Sequence, residues 1–252
     1  MGSLGPEFSL DRLIATLEAQ RGEPHRCPYL ADREARVCGF VAETLDAELY
    51  HRLMDRGFRR SGTFFYRPAC EGCRECVPVR VPVREFRRSR NQERVWRKNG
   101  DLHVEVTTPE CTREKWEVYA RYLEYQHDGT MSDGFEDFER FLYQPCVSTL
   151  EFVYRLGRRL IGVSLADCSE KSLSSVYCFF EPEYAERSVG TFSVLWEIEY
   201  ARKQGIDHYY LGYYVRECSS MNYKARFRPN EFLRDYERWT RPDPPETGQE
   251  TV

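Results

Sequence analysis

Residues 173–227 read LSSVYCFFEPEYAERSVGTFSVLWEIEYARKQGIDHYYLGYYVRECSSMNYKARF, and this stretch decides the fold. Leu173–Phe180 is short, aromatic and β-branched, the composition of a strand, and Pro182 ends it. Phe192, Val194, Leu195, Ile198 and Ala201 then recur at a spacing that lays one apolar stripe along a helix. Arg202 and Lys203 fall in its last turn, where cations complement the helix dipole, and Gly205 supplies the stop. Tyr209–Val215 is the next strand. The unit is strand–helix–strand, with a glycine turn (Arg187-Ser188-Val189-Gly190-Thr191) at the start of the helix. Free backbone N–H groups around Gly190 and Thr191 are suited to an anion or a developing oxyanion. The segment after the second strand, Cys218 to Phe227, holds Met221, Tyr223, Lys224 and Arg226, more aromatic and cationic chemistry than a simple connection needs.

The 252 residues allow one large domain or two small ones. The chain has no apolar run near the roughly 20 residues of a membrane span and no signal-peptide core, so a cytoplasmic protein without a membrane partner is expected. The net charge of −4 is unevenly spread: Arg52–Lys98 carries 14 cations against 5 anions. A basic region on an acidic body is an electrostatic footprint for a polyanion. The stretch Arg84–Lys98 (REFRRSRNQERVWRK) reads as a basic helix packed through Phe86, Val95 and Trp96, with Arg87, Arg88, Arg90 and Arg94 as the candidate phosphate contacts.

Ahead of it, Leu10, Leu13, Ile14 and Leu17 mark an amphipathic helix, and Ala35–Val41 a strand. Asp46 caps a helix running to about Asp55, and Phe58–Tyr66 is a strand–turn–strand. Val77–Val83 and Leu102–Val106 are further strands. Glu114–Gln126 is a helix followed by His127 in a turn, and residues 150–167 form a hairpin. A small α+β domain over 1–107, a second domain over 108–241 and a disordered Pro- and Glu-rich tail over 242–252 are expected. The first ten residues carry no function in this reading.

Cys70-Glu71-Gly72-Cys73-Arg74-Glu75-Cys76 brings three thiols together in two overlapping CxxC turns. In a chain without a secretory signal such a cluster suggests metal or redox chemistry before disulfides. Cys27, or a histidine such as His25, could complete a soft four-ligand set for zinc or an iron–sulfur centre. The alternative is a cysteine-rich turn that packs the small domain.

Taken together, CPYL at Cys27, GFRRSG at Gly57, YRPACEGCRECVPVR at Tyr66, SRNQ at Ser89, LIGVSLAD at Leu160, SSVYCFFEP at Ser174, RSVGTFSVL at Arg187 and YYLGYYVRECSSMNYKARFRP at Tyr209 resemble the bacterial aspartate/glutamate leucyltransferases, relatives of the arginyl-tRNA–protein transferases. QHDGTM at Gln126 departs from the family pattern. The resemblance implies an α/β (α+β) chain: a GNAT-like acyltransferase domain preceded by a smaller cysteine-containing domain. It also implies transfer of an aminoacyl group, leucine in bacteria, from aminoacyl-tRNA to the N-terminal amine of proteins that begin with Asp or Glu, marking them for degradation. No cofactor is required for that chemistry, and the cysteine cluster matches the position where eukaryotic relatives hold a metal or iron–sulfur centre.

An amine attacking an ester needs alignment, a proton acceptor and oxyanion stabilisation. Asp167 and Tyr177 are expected near the reacting centre with Gly190 and Thr191. Tyr213, Tyr214, Met221 and Tyr223 are expected to wall the pocket. An acidic acceptor side chain calls for a cation, best a bidentate arginine; Arg59 and Arg60, with Ser61 beside them, and Lys224 and Arg226 are the candidates. Two other readings differ in donor: an arginyl-tRNA–protein transferase, and a coenzyme-A acetyltransferase on the same fold. The second is weakened by Phe192, which stands where such enzymes carry a second phosphate-cradling glycine. A non-catalytic zinc-ribbon nucleic-acid-binding module would leave the second half of the chain without a task.

Overall fold

The computed structural model describes residues 9–127 and 134–242. The expected terminal tail beyond 242 and most of the first ten residues lie outside that range. Helix α1 (Leu10–Ala19) is capped by Ser9 and buries Leu10, Ile14 and Leu17. After the two-residue strands β1 (His25–Arg26) and β2 (Glu34–Ala35) comes β3 (Val37–Val41). Helix α2 (Ala47–Asp55) starts at Asp46, whose carboxylate accepts from the amides of Glu48 and Leu49 as the sequence predicts. Strands β4 (Arg59–Ser61) and β5 (Phe64–Pro68) close a three-stranded antiparallel sheet in the order β3-β5-β4. Leu53, Phe58 and Phe65, with no exposed surface, centre this layer.

The rest of the chain builds one eight-stranded sheet. Its strands are β6 (Val77–Pro82), β7 (His103–Thr107), β8 (Thr149–Leu156), β9 (Arg159–Cys168), β10 (Ser172–Phe180), β11 (His208–Tyr214), β12 (Glu231–Arg234) and β13 (Arg238–Thr240). The order is β13-β12-β6-β11-β10-β9-β8-β7. Every neighbouring pair is antiparallel except β10 and β11. The mixed α/β class agrees with the expectation. The sheet takes β6 and β7 from the part of the chain up to residue 107 and its other six strands from beyond it.

Helix α3 (Arg90–Lys98) is shorter than the sequence suggests. Ser89 and Gln92 form a reciprocal capping box that starts the helix at Arg90, and Arg84–Arg88 precede it as a turn. Helix α6 (Val189–Gln204) lies against one face of the large sheet, where Leu195 and Ile198 are each 1% exposed. Burial of that kind stabilises by about 1.5–3 kcal/mol per side chain. Helix α3 packs on α6, Trp96 against Phe192. The opposite face is covered at one end by α4 (Arg113–His127), α5 (Phe135–Phe138) and a π-helical turn at Glu139–Tyr143. At the other end it is covered by the N-terminal layer, into whose core Tyr210 of β11 projects. A last short helix, α7 (Ser219–Asn222), continues into a tight turn at Tyr223–Arg226.

One acidic residue sits inside the α6 interface. Glu197 is 1% exposed and accepts hydrogen bonds from Ser164 Oγ and Tyr209 OH, each at 2.6 Å. Burial pushes its carboxyl up to about 7, against the lowering effect of those two hydroxyls. The folded state therefore holds a proton that the unfolded chain releases near pH 4.5, and stability falls as pH rises from about 4.5 to 7. Glu197→Gln should remove that slope, worth roughly 3 kcal/mol at 1.36 kcal/mol per unit. Denaturant midpoints of both proteins at pH 5 and 7.5 test this; parallel pH dependence would show that Glu197 is charged in the native state.

Candidate active site

Strands β10 and β11 run side by side only over Ser172–Ser174 and His208–Tyr210. Beyond that point β10 stays with β9, shifted by a bulge between Ser175 and Tyr177, while β11 follows β6, shifted by a bulge between Tyr210 and Gly212. The two parallel strands thus part, and the residues at the fork are Ser174, Ser175 and Gly212. The N-terminal layer reaches the same place through β4.

Consecutive residues of a strand point to opposite faces, and β4 uses both. The Arg60 guanidinium grips the Asp167 carboxylate with two parallel bonds, Nε–Oδ2 at 2.7 Å and Nη2–Oδ1 at 2.6 Å. Thr149 Oγ1 donates to the same carboxylate at 2.9 Å. The two side chains are 2% and 1% exposed. Asp167 holds Arg60 upright, and Arg60 neutralises Asp167. Each of these sequence candidates consumes the other, so the pair is a clamp between β4 and β9.

Arg59 reaches the next strand. Its guanidinium donates to Ser174 Oγ and to the carbonyl oxygen of Ser175 at the fork. Lys224 approaches from the other side, donating to Tyr213 O at 3.0 Å and contacting Met221 Sδ at 3.5 Å. Both cations lie over Gly212, whose φ is +90°; a Cβ there would stand 3.4 Å from Lys224 Nζ and 3.6 Å from Arg59 Nε. Glycine is required for the backbone conformation and it also leaves the space the two cations occupy. Among the described residues no carboxylate lies within ion-pair distance of either. Burial, reinforced by the Arg59 charge, brings the Lys224 ammonium down to about 7.

The remaining candidates disperse. Tyr213 sends its hydroxyl to Gly57 O at 2.8 Å, anchoring the N-terminal layer. Tyr214 points to the other face, against Phe232. Tyr223 packs near Phe227, edge-on. Tyr177 lies on the α4 side among Tyr119, Tyr122 and Phe141. Ser61 and Arg226 are exposed. The Thr191 amide donates to Ser188 O at 2.9 Å and is not free for an oxyanion. Phe192 is 3% exposed between Trp96 and Tyr154, which fills the position of a phosphate cradle with core. The side chain of His127 and residues 128–133 lie outside the described range.

The family model for the arginine-tRNA-protein transferase N terminus matches residues 25–94, and that for the C terminus matches residues 114–234. An aspartate/glutamate leucyltransferase of Marinobacter nauticus is 44% identical over 84% of this chain and 91% of that protein. One of Pseudomonas fluorescens is 38% identical over 90% and 97%. The chain belongs to the aspartate/glutamate leucyltransferase family. Among solved structures, L-PGS from Bacillus licheniformis superposes with a TM-score of 0.44 and 12% identity over 85% of this leucyltransferase-family chain and 78% of its own.

In this family member the basic helix has two kinds of arginine. Arg88 is half-buried: it bonds Glu93 at 2.8 Å and stacks over Trp96 at 4.3 Å. Arg90, Arg94 and Arg97 are exposed on one side of α3, around a groove of about 400 Å³. Arg87 is exposed as well, its guanidinium turned back to the carbonyls of Arg84 and Phe86. The far end of α3 holds the start of α6, through Asn99 Nδ2 to Arg187 O at 2.8 Å and the Arg187–Asp101 pair at 2.7 Å.

The expected metal centre is a correction. Among the described residues no group of three or more His, Cys, Asp or Glu is arranged to hold a metal ion. Cys70 exchanges hydrogen bonds with the Arg36 backbone, and Arg33 donates to Cys73 at 3.5 Å. Burial, with the nearby Cys70, Cys27 and Cys73, pushes the Cys76 thiol up to about 12. Spacing predicted proximity correctly but not ligand geometry.

Because the Arg60–Asp167 clamp is buried and bidentate, removing one partner strands the other charge. Arg60→Ala should cost about 3–5 kcal/mol of stability, measured by urea denaturation. Arg60→Met combined with Asp167→Leu should recover part of that loss; equal loss in the single and double variants would deny the stranded-charge account.

Proposed function

We propose that the chain transfers a leucyl group from leucyl-tRNA to the α-amine of cytoplasmic proteins that begin with Asp or Glu, marking them for degradation. The observation that carries this reading is the pair of cations, Arg59 and Lys224, at the fork of β10 and β11 without a described carboxylate partner. An acidic first side chain supplies the missing anion, and its α-amine is then held at a fixed distance from that anion. Arg60, Asp167 and Arg226 are left out of the recognition step, the first two because they neutralise each other. Tyr213 and Met221 support Lys224.

The donor side follows from the same geometry. The strands part toward the C-terminal part of β10, from which the chain leads through residues 181–188 to the start of α6, and α3, which carries the exposed Arg90, Arg94 and Arg97, is tied to that start. Phosphate contacts along α3, with Arg87 beside them, would bring the acylated end of a tRNA to the fork. An N-terminal α-amine has a pKa of about 7.7–8.0 and is partly neutral at pH 7, so the reaction asks chiefly for alignment and for removal of one proton. It needs neither ATP nor a redox group.

Acyl transfer from separately prepared leucyl- and arginyl-tRNA to Asp-, Glu-, Asn- and Ala-initiated peptides tests the reading. Asp should exceed Asn and Ala by at least about 100-fold, or about 2.7 kcal/mol at 1.4 kcal/mol per decade. Arg59→Ala should lower that ratio toward unity. Equal rates for Asp and Asn in the unmodified protein would overturn the charge-reading site, and transfer from arginyl-tRNA alone would change the donor.

Changing Arg90, Arg94 and Arg97 to Glu should weaken tRNA binding and flatten its salt dependence by about one unit of slope per lost phosphate contact. An unchanged slope in filter-binding titrations would move the tRNA surface off α3.

A further inference from the structure

The fork contains a lysine with an unusual set of neighbours. Lys224 sits on the tight turn after α7 and is half-buried. Its described contacts are a carbonyl oxygen and a thioether, Tyr213 O and Met221 Sδ. The charged and titratable groups facing it are Arg59 from β4, Cys218 beside α7 and Cys76 ahead of β6. One is a fixed cation and two are thiols. Asp167, a buried carboxylate on β9 opposite Ser174, is spent on Arg60. A half-buried ammonium beside a guanidinium, with no described carboxylate to balance it, favours the neutral amine. Lysines in such surroundings serve as bases.

We propose that Lys224 is the catalytic base that takes the proton from the α-ammonium of the acceptor. This rests on the functional reading above. The α-ammonium gives one proton to Lys224 Nζ, and the freed lone pair forms the C–N bond to the leucyl carbonyl carbon. The C–O bond to the tRNA ribose breaks with its electron pair on the ribose oxygen, which takes a second proton from the attacking nitrogen. Lys224 returns its proton to solvent at the end of the turnover.

The acceptor's own carboxylate joins in. Lodged beside Arg59 and Lys224, it offsets the Arg59 charge and makes the protonated lysine more favourable when the amine must be stripped. An acidic first residue is then both the recognised feature and the activator of the base, and a neutral residue fails in kcat as well as in binding.

The test separates a base from a mere cation. Single-turnover transfer from saturating leucyl-tRNA to an Asp-initiated peptide is measured for the unmodified protein, Lys224→Arg and Lys224→Ala. Arginine keeps the charge but cannot accept the proton. Lys224→Arg should hold KM within a few-fold and lose about 10²–10⁴ in kcat. Methylamine and ethylamine should restore part of the kcat of Lys224→Ala but none of that of Arg59→Ala. Full kcat in Lys224→Arg, or no rescue of a folded Lys224→Ala, would overturn the role. In case either variant unfolds, NMR titration of 13Cε-labelled lysines in the unmodified protein supplies an independent reading. One resonance, assigned to Lys224 by its loss in Lys224→Met, should titrate near pH 7; a midpoint above about 9 overturns the proposal. Absence of transfer to every peptide by the unmodified protein overturns the functional reading itself, whereas transfer with an insensitive Lys224→Arg overturns the base alone.

Discussion

The bidentate bond between Arg60 and Asp167 ties together the parts of this molecule that act at the fork. It crosses from the small sheet to the large one, and it is dry. Two charges taken out of water are tolerable only when each satisfies the other with good geometry, so the pair fixes β4 against β9 in register as well as distance. The neighbouring Arg59 inherits that placement. Being one residue along the strand, it must face the other way, and the direction left to it is the fork between β10 and β11. The clamp therefore sets the direction of Arg59, and Thr149, which donates to the same carboxylate, belongs to the same buried cluster.

The fork itself arises from two irregularities of ladder pairing. A bulge in β10 after Ser175 and another in β11 before Gly212 turn the strands apart, each toward its antiparallel neighbour. Bulges bend strands and re-aim side chains near sites. Here they expose the Ser175 carbonyl to Arg59 and the Gly212 backbone to both cations. Met221 and Tyr213 then hold Lys224 by contacts that carry no charge.

Much of this was legible in the sequence, and the failures have physical causes. The α6 stripe, its glycine stop and the Asp46 cap are local signals, and the structure repeats them. The start of α3 was also signalled locally, by Ser89-x-x-Gln92, but the charge run from Arg84 drew the helix too far. Alternation along strands was the underused rule: it separates Arg59 from Arg60 and Tyr213 from Tyr214, so neither pair could serve one pocket wall. The pairing of Arg60 with Asp167 was beyond reach, because 107 residues separate them and no local pattern encodes which cation a carboxylate will find. The CxxCxxC run suggested a metal because spacing gives nearness of thiols, whereas coordination needs convergent Sγ vectors that spacing alone does not specify.

Strand β6 carries a consequence for how the chain reaches this state. It lies between β11 and β12 in the interior of the large sheet, and its residues pair with His208–Tyr214 on one side and Glu231–Phe232 on the other. The middle of the sheet is therefore closed by partners that are far apart along the chain. Contacts of that span are costly in loop-closure entropy and form late. Synthesis from the N-terminus can complete the small layer first, but β6 must wait, unpaired, until the last quarter of the chain has left the ribosome. The fork assembles in that same closing event, so a truncated product would carry Arg59 without β11 and the Lys224 turn that stand beside it.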